Sequence, residues 1–161
     1  MGLGNIESNT GNMMGIKKVI GRDIISKSKI IHKNQLIFSG LRPYLNKVFI
    51  LEDYNQAIAS AEFFVCEPKN ILLPFLKYYL LSEATLRQTK WILSGSNYPR
   101  LDEEDFLNLK VVIPEDIEEQ KRILKLLNKE KEKFDRLKQK AEEKRKESKV
   151  TFEKLLMKEL T

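Results

Sequence analysis

Few residues in this 161-residue chain have types and spacing that could run a reaction, and the most suggestive group is spoiled by one proline. Asp53 followed by Glu67-Pro68-Lys69 has the bare order of a metal-dependent nuclease core, an acid and then Glu-x-Lys. That chemistry needs the Glu and the Lys on one regular strand, where carboxylates hold a divalent ion and the ammonium lies beside the attacked phosphate. Pro68 stands between them, and a proline inside a central strand removes a ladder hydrogen bond, so the match reads as accidental. Cys66 is the only cysteine and His32 the only histidine, which excludes disulfide frameworks, Cys/His zinc clusters and any histidine-based triad or dyad. Cys66 reads as a small buried hydrophobe and His32 as a strand or surface residue. The glycines at 2, 4, 11 and 15 fit neither G-x-G-x-x-G nor the P-loop pattern. The chain reads as a binder that needs no metal and no cofactor, with chemistry left to partners.

The binding chemistry is easier to find. Between Leu36 and Val48 a strand meets a loop that presents Arg42, Tyr44, Asn46 and Lys47. Arginine offers a planar fork to a guanine edge or a phosphate, asparagine can pair bidentately with adenine, and lysine is a point charge for phosphate. A second loop, Ser94-Gly95-Ser96-Asn97-Tyr98-Pro99-Arg100, supplies small hydroxyl donors, an amide and a guanidinium that could approach a backbone closely. Either loop could equally be an ordinary solvated turn; clustering of positive charge is what favours a polyanion. The chain carries 29 Lys and Arg against 23 Asp and Glu, a net charge of +6. Residues 1–50 alone reach a net of +6, residues 51–114 a net of −3, and residues 115–161 a net of +3 from 15 basic and 12 acidic groups. The unmatched charge therefore sits in the first third, where Lys17, Lys18, Lys27 and Lys29 are the candidate phosphate contacts.

Three kinds of text must position these groups. From Lys17 to Val65 short apolar runs alternate with Gly, Pro, Asn, Asp and Ser, which predicts strands at Lys17–Ile20, Gln35–Phe38, Lys47–Leu51 and Ala61–Val65. Leu72, Phe75, Leu76, Tyr79, Leu80 and Leu86 recur at steps of three and four, predicting one helix from about Pro74 to Leu86, with Pro74 in its first turn. A loop at residues 94–99, a helical turn opened by Asp102 and a last strand from Leu109 to Pro114 complete a domain over residues 1–114. Residues 115–161 contain no Gly or Pro and predict a single helix about 70 Å long. An apolar seam runs through Ile123, Leu127, Phe134, Leu137, Ala141, Phe152, Leu155 and Leu156, interrupted by Glu130, Lys144 and Ser148. A helix of this kind is stable beside another helix, so the seam predicts a partner. The expected fold is α+β: a β-rich globular domain edged by short helices, followed by a long coiled-coil-forming helix. The apolar runs fall far short of the ~20 residues of a membrane span, and nothing at the N-terminus has the basic-then-apolar pattern of a signal peptide; the expectation is a cytoplasmic protein.

Four blocks then carry a resemblance. Leu41-Arg42-Pro43-Tyr44-Leu45-Asn46-Lys47-Val48, Ile58 to Phe63, Gly95-Ser96-Asn97-Tyr98-Pro99-Arg100-Leu101, and Leu109 to Pro114 with Glu119-Gln120-Lys121-Arg122-Ile123 come in the order found in specificity subunits of type I restriction-modification systems. The chain resembles that family over residues 4–160. The resemblance implies a target-recognition domain that reads one half of a split sequence in double-stranded DNA, and a helix that spaces it from a second such domain. It also implies docking to methyltransferase and restriction subunits, which carry the catalysis. A full subunit has two domains and two antiparallel helices; this chain has one of each, as a half-subunit or a fragment would. Carried over by position, Arg42, Tyr44, Asn46, Lys47, Ser96, Asn97 and Arg100 are the candidate readers, and the unpaired helix predicts a homodimer through an antiparallel coil reading a palindromic, interrupted target. The competing readings are a coiled-coil protein-interaction module whose β-rich head ignores DNA and, more distantly, a nuclease using Asp53, Glu67 and Lys69.

Overall fold

The computed structural model describes every residue except Ile16, Lys17, Val19, 93–98 and Thr161. The chain divides into a compact unit, Met1–Gln120, and a second unit, Lys121–Thr161. The first unit contains five strands, β1 (Ser28–His32), β2 (Leu36–Ser39), β3 (Val48–Ile50), β4 (Gln56–Ser60) and β5 (Phe63–Cys66). It also holds the helices α1 (Leu73–Leu80), α2 (Glu83–Ile92) and α3 (Glu103–Leu107) and the start of α4 (Ile117–Leu160). The expected α+β class with one long terminal helix is what the chain adopts.

β2 organises the domain. Its four residues are all buried, and it pairs antiparallel with β3 on one side and β5 on the other. Because successive strand side chains point to opposite faces, Leu36 and Phe38 enter one apolar cluster and Ile37 the other. The first cluster adds Val48, Ile50, Leu76, Leu80 and Leu101. The second adds Ile6, Ile31, Leu51, Ala59 and Phe63. Each fully buried Ile, Leu or Phe contributes about 1.5–3 kcal/mol through the area it withdraws from water. β1 and β4 form a separate two-stranded ribbon that sends Ile31 and Ala59 into the second cluster. On the other side Phe106 of α3 stacks on Phe64 with ring centres 4.6 Å apart and lies 5.1 Å from Phe38. Asp102 caps α3 by accepting a hydrogen bond from the Asp105 amide at 2.8 Å, as its place in the sequence predicts.

Two expectations fail, both because side chains distant in sequence take over backbone hydrogen bonds. The single helix predicted from Pro74 to Leu86 is two helices broken at Leu81–Ser82. The Tyr79 carbonyl accepts from Ser82 N at 2.9 Å and from Thr85 Oγ1 at 2.9 Å, while the Leu81 carbonyl accepts from Asn46 Nδ2 at 2.7 Å. Carbonyls satisfied in this way end one helix and let the next begin in a new direction. The strand predicted from Leu109 to Pro114 does not form. The Lys110 amide donates to Gln88 Oε1 at 2.8 Å and its carbonyl accepts from Gln88 Nε2 at 3.0 Å and Tyr79 Oη at 3.2 Å. One glutamine amide thus takes the place of a neighbouring strand. The short strand predicted at Lys17–Ile20 lies partly outside the described residues.

α4 is anchored at its start by a residue that the sequence presents only as part of the block Glu119-Gln120-Lys121-Arg122-Ile123. Gln120 is fully buried. Its Oε1 accepts from Leu72 N at 2.9 Å and its Nε2 donates to the carbonyls of Asn70 at 3.1 Å and Pro114 at 2.9 Å. In the second unit Ile123 is half-buried and the seam residues from Leu127 onward are exposed, Phe134 by 63% and Leu137 by 66% among them. Ala141 and Phe152 are eleven residues apart, three turns at 3.67 residues per turn, so the stripe stays on one edge of the helix across the polar interruption. Ion pairs one turn apart, such as Lys131 with Asp135 at 2.6 Å and Lys133 with Glu130 at 2.6 Å, decorate the rest of the surface. Each contributes only about 0.3–0.5 kcal/mol, far too little to replace a partner for the apolar edge.

Candidate nucleic-acid interface

Pro99 and Arg100, the described end of the second loop, lie beside the start of the first. Leu41 and Arg100 form an isolated antiparallel bridge, the Arg42 amide donates to the Pro99 carbonyl at 2.9 Å, and the Leu101 amide donates to the Gly40 carbonyl at 2.9 Å. Gly40 packs closely under the Phe64 ring, where a Cβ would lie 2.8 Å from Phe64 Cε2. Arg42 and Asn46 both have φ of 49° and bracket the single 3-10 turn Pro43–Leu45. A left-handed conformation costs an arginine roughly 1–2 kcal/mol, and it lifts Tyr44, 48% exposed, to the tip of the turn. Arg100 sits beside this turn and forms an ion pair with Glu62 at 2.9 Å, an exposed contact worth less than about 1 kcal/mol that leaves the guanidinium accessible. Glu62 is a neighbour that residue-type reasoning missed, because nothing in its local sequence marks it.

The remaining candidates divide. Lys18 and Lys27 are exposed. Lys29 is exposed, yet its Nζ donates to the Phe63 carbonyl at 2.9 Å and so helps hold the ribbon to β5. Two of the predicted readers are corrected. Asn46 is buried and its amide donates to the Leu81 carbonyl, which makes it the pin between this turn and the α1–α2 break. Lys47 donates through Nζ to the carbonyls of Leu3 at 2.6 Å and Ile6 at 2.8 Å, tethering the N-terminal segment instead of facing solvent. Both residues were selected for functional groups that the fold uses internally. Lys17, Ser96 and Asn97 lie outside the described residues.

The nuclease-like triplet does not assemble on a strand. β5 ends at Cys66, so Glu67 and Lys69 lie beyond it, and Glu67 accepts a hydrogen bond from Gln35 Nε2. Among the described residues no three His, Cys, Asp or Glu side chains come together as a metal-holding group. The Cys66 thiol is pushed up to about 11 by burial, so it is protonated at neutral pH and inert as a nucleophile. Among the described residues no helix is long and apolar enough to cross a membrane.

Residues 5–148 match the family model of the type I restriction modification DNA specificity domain, a span that covers the β-rich unit and most of α4. The chain belongs to that family. Two solved structures are similar to this specificity-domain chain. The crystal structure of the HsdS subunit from Thermoanaerobacter tengcongensis superposes with a TM-score of 0.74 at 25% identity, over 84% of this chain and 36% of that one. A chain from a structure addressing complex assembly and conformational transition of the type I R-M system gives a TM-score of 0.75 at 24% identity, over 86% of this chain and 36% of that one. The second likeness is one of fold. The specificity-domain chain spans 36% of the length of each of these relatives. No curated protein matches it.

Proposed function

We propose that this chain is a non-catalytic, sequence-specific DNA-binding unit of a type I restriction-modification system, working in the cytoplasm and reading one half of a bipartite target in duplex DNA. The observation that supports the reading is the exposed Tyr44 at the tip of the Arg42–Asn46 turn with the exposed Arg100 bridged beside it, within a chain of the specificity-domain family. Phosphate contacts from Lys17, Lys18 and Lys27 orient the domain, and side chains of the turn, with Ser96 and Asn97 from the neighbouring loop, read base edges. Methylation and cleavage belong to methyltransferase and restriction subunits that this chain would direct. Residues 1–114 form the recognition unit and residues 115–161 the spacer. Ile123, Leu127, Phe134, Leu137, Ala141, Phe152 and Leu155 dock α4 antiparallel on the same helix of a second copy, so that two domains face a palindromic, interrupted site.

Fluorescence anisotropy with labelled duplexes over a salt series tests this. Binding weakens steeply with salt, Lys27→Ala weakens all sequences alike and reduces the salt slope by about one, and Arg42→Ala costs affinity at one base position of a selected target. Equal losses on selected and random duplexes for Arg42→Ala would remove it from base reading. Absence of binding at low salt would favour the protein-interaction reading, which the exposed edge of α4 supports.

A further inference from the structure

The β1–β4 ribbon has an outward face that the core does not use. Its register sets Ser28 opposite Ser60, Ile30 opposite Ile58 and His32 opposite Gln56. Directly opposed residues, and residues two apart along a strand, share a face, so these six side chains form one surface while Ile31 and Ala59 point into the core. At its centre a pair of isoleucines is turned to solvent, Ile30 63% and Ile58 38% exposed, between hydrogen-bonding groups at both ends. The opposed isoleucines support each other across the ribbon, and the surface they leave in water is open to a ligand.

We propose that this ribbon enters the major groove of duplex DNA and reads base edges there. The proposal rests on the DNA-binding reading above and adds to it a second reading surface. Two strands about 4.8 Å apart, five residues and so about 17 Å long, suit a groove about 12 Å wide that admits a two-stranded ribbon. The side chains match the groove's pattern. Gln56 pairs bidentately with adenine, Ile30 and Ile58 cover thymine methyl groups, and Ser28, Ser60 and His32 donate or accept at the ends. The rim is complementary to phosphate: Lys27 and Lys33 flank the ribbon and are exposed, with Arg22 and Lys18 on the segment leading into it. Asp23, the acidic group of that segment, has Arg22 at 3.9 Å.

The test uses the full chain and a target duplex selected from a randomised library, with affinities measured on the selected duplex, on random duplex and on the selected duplex carrying uracil for thymine. Gln56→Ala is expected to weaken the selected duplex about tenfold and leave random duplex unchanged. Uracil, which lacks the thymine methyl, is expected to weaken the unmutated protein several-fold and Ile30→Ala not at all. Should an isoleucine variant fold poorly by thermal melting, Gln56→Glu, isosteric and exposed, must still lose the selected duplex. If the variants keep the unmutated protein's preference, the ribbon is not a reader and the DNA-binding reading stands; a protein partner then becomes the better occupant of this face. Equal losses on selected and random duplex overturn base reading by the ribbon. If the unmutated protein binds no duplex at low salt, both readings fall.

Discussion

Asn46 separates two explanations of the same residue, because a base-reading asparagine and a structural one respond oppositely to substitution. In Asn46→Ala the Leu81 carbonyl loses its 2.7 Å donor at the point where α1 ends. Leaving such a group unsatisfied costs about 1–3 kcal/mol. Alanine at a φ of 49° adds about 1 kcal/mol, since asparagine visits the left-handed region far more readily. Removal of Oδ1, which is buried without a hydrogen-bond partner among the described residues, returns part of this. The net loss is about 2–3 kcal/mol, a large share of a domain stability of roughly 5–15 kcal/mol. Asn46→Gly keeps the backbone conformation and isolates the hydrogen bond, so it should lose about 1–2 kcal/mol. Urea unfolding followed by near-ultraviolet circular dichroism measures both variants, and duplex affinity is measured in parallel under folding conditions. The structural role of Asn46 is refuted if both variants stay within about 0.5 kcal/mol of the unmutated protein while affinity for a selected duplex collapses, for then the side chain faces DNA.

Other sites give sharper, shorter tests. Gly11→Ala places a Cβ 2.2 Å from the Val48 carbonyl oxygen at a φ of +64° and should destabilise the domain by at least ~2 kcal/mol, read as a lowered urea midpoint. Gln120→Ala removes three hydrogen bonds at the root of α4 and should raise amide exchange at Leu72, whose N–H it satisfies, ahead of the rest of the domain. Burial holds the Cys66 thiol at about 11 against 9.0, so the protonated form stabilises the fold below pH 9 and this contribution is lost as pH rises through 11. Alkylation of the folded protein should therefore be slow at pH 8 and climb between pH 9 and 11, and equal rates for folded and urea-unfolded protein at pH 8 would contradict the burial. Leu137→Lys should give monomers in sedimentation at tens of micromolar with the circular dichroism of the domain retained; an unmutated protein that is already monomeric there removes the homodimer.

What could be read from the sequence was whatever depends on neighbours in the chain. β2 was legible because a run of apolar residues bounded by polar ones needs only two covered faces, and α4 because a stretch without Gly or Pro with a repeating apolar edge has no competing conformation. The α1–α2 break was not legible, since the groups that end α1 include an amide 35 residues upstream. The same applies to 109–114, whose backbone groups are met by the side chain of Gln88, and to Gln120, whose partners are spread over residues 70–114. Candidate readers chosen by functional group inherit this blindness. Tyr44 is exposed at the tip of its turn, but Asn46 and Lys47, two and three residues further on, were turned inward by carbonyls that no local pattern announces.

That contrast explains why the β1–β4 ribbon escaped a search by residue type. Gln56, Ile30 and Ile58 are unremarkable as single letters, and they become a surface only when the register sets strands 28–32 and 56–60 against each other. A recognition surface needs rigid geometry more than particular residues, and a paired ribbon fixed on a buried Ile31 and Ala59 holds its outward side chains better than a loop can. If specificity resides there, exchanging the outward residues of the ribbon should change which duplex is selected without moving the midpoint of unfolding. The same exchange made at Asn46 or Lys47 should move the midpoint first, because those side chains hold the turn and the N-terminal segment in place.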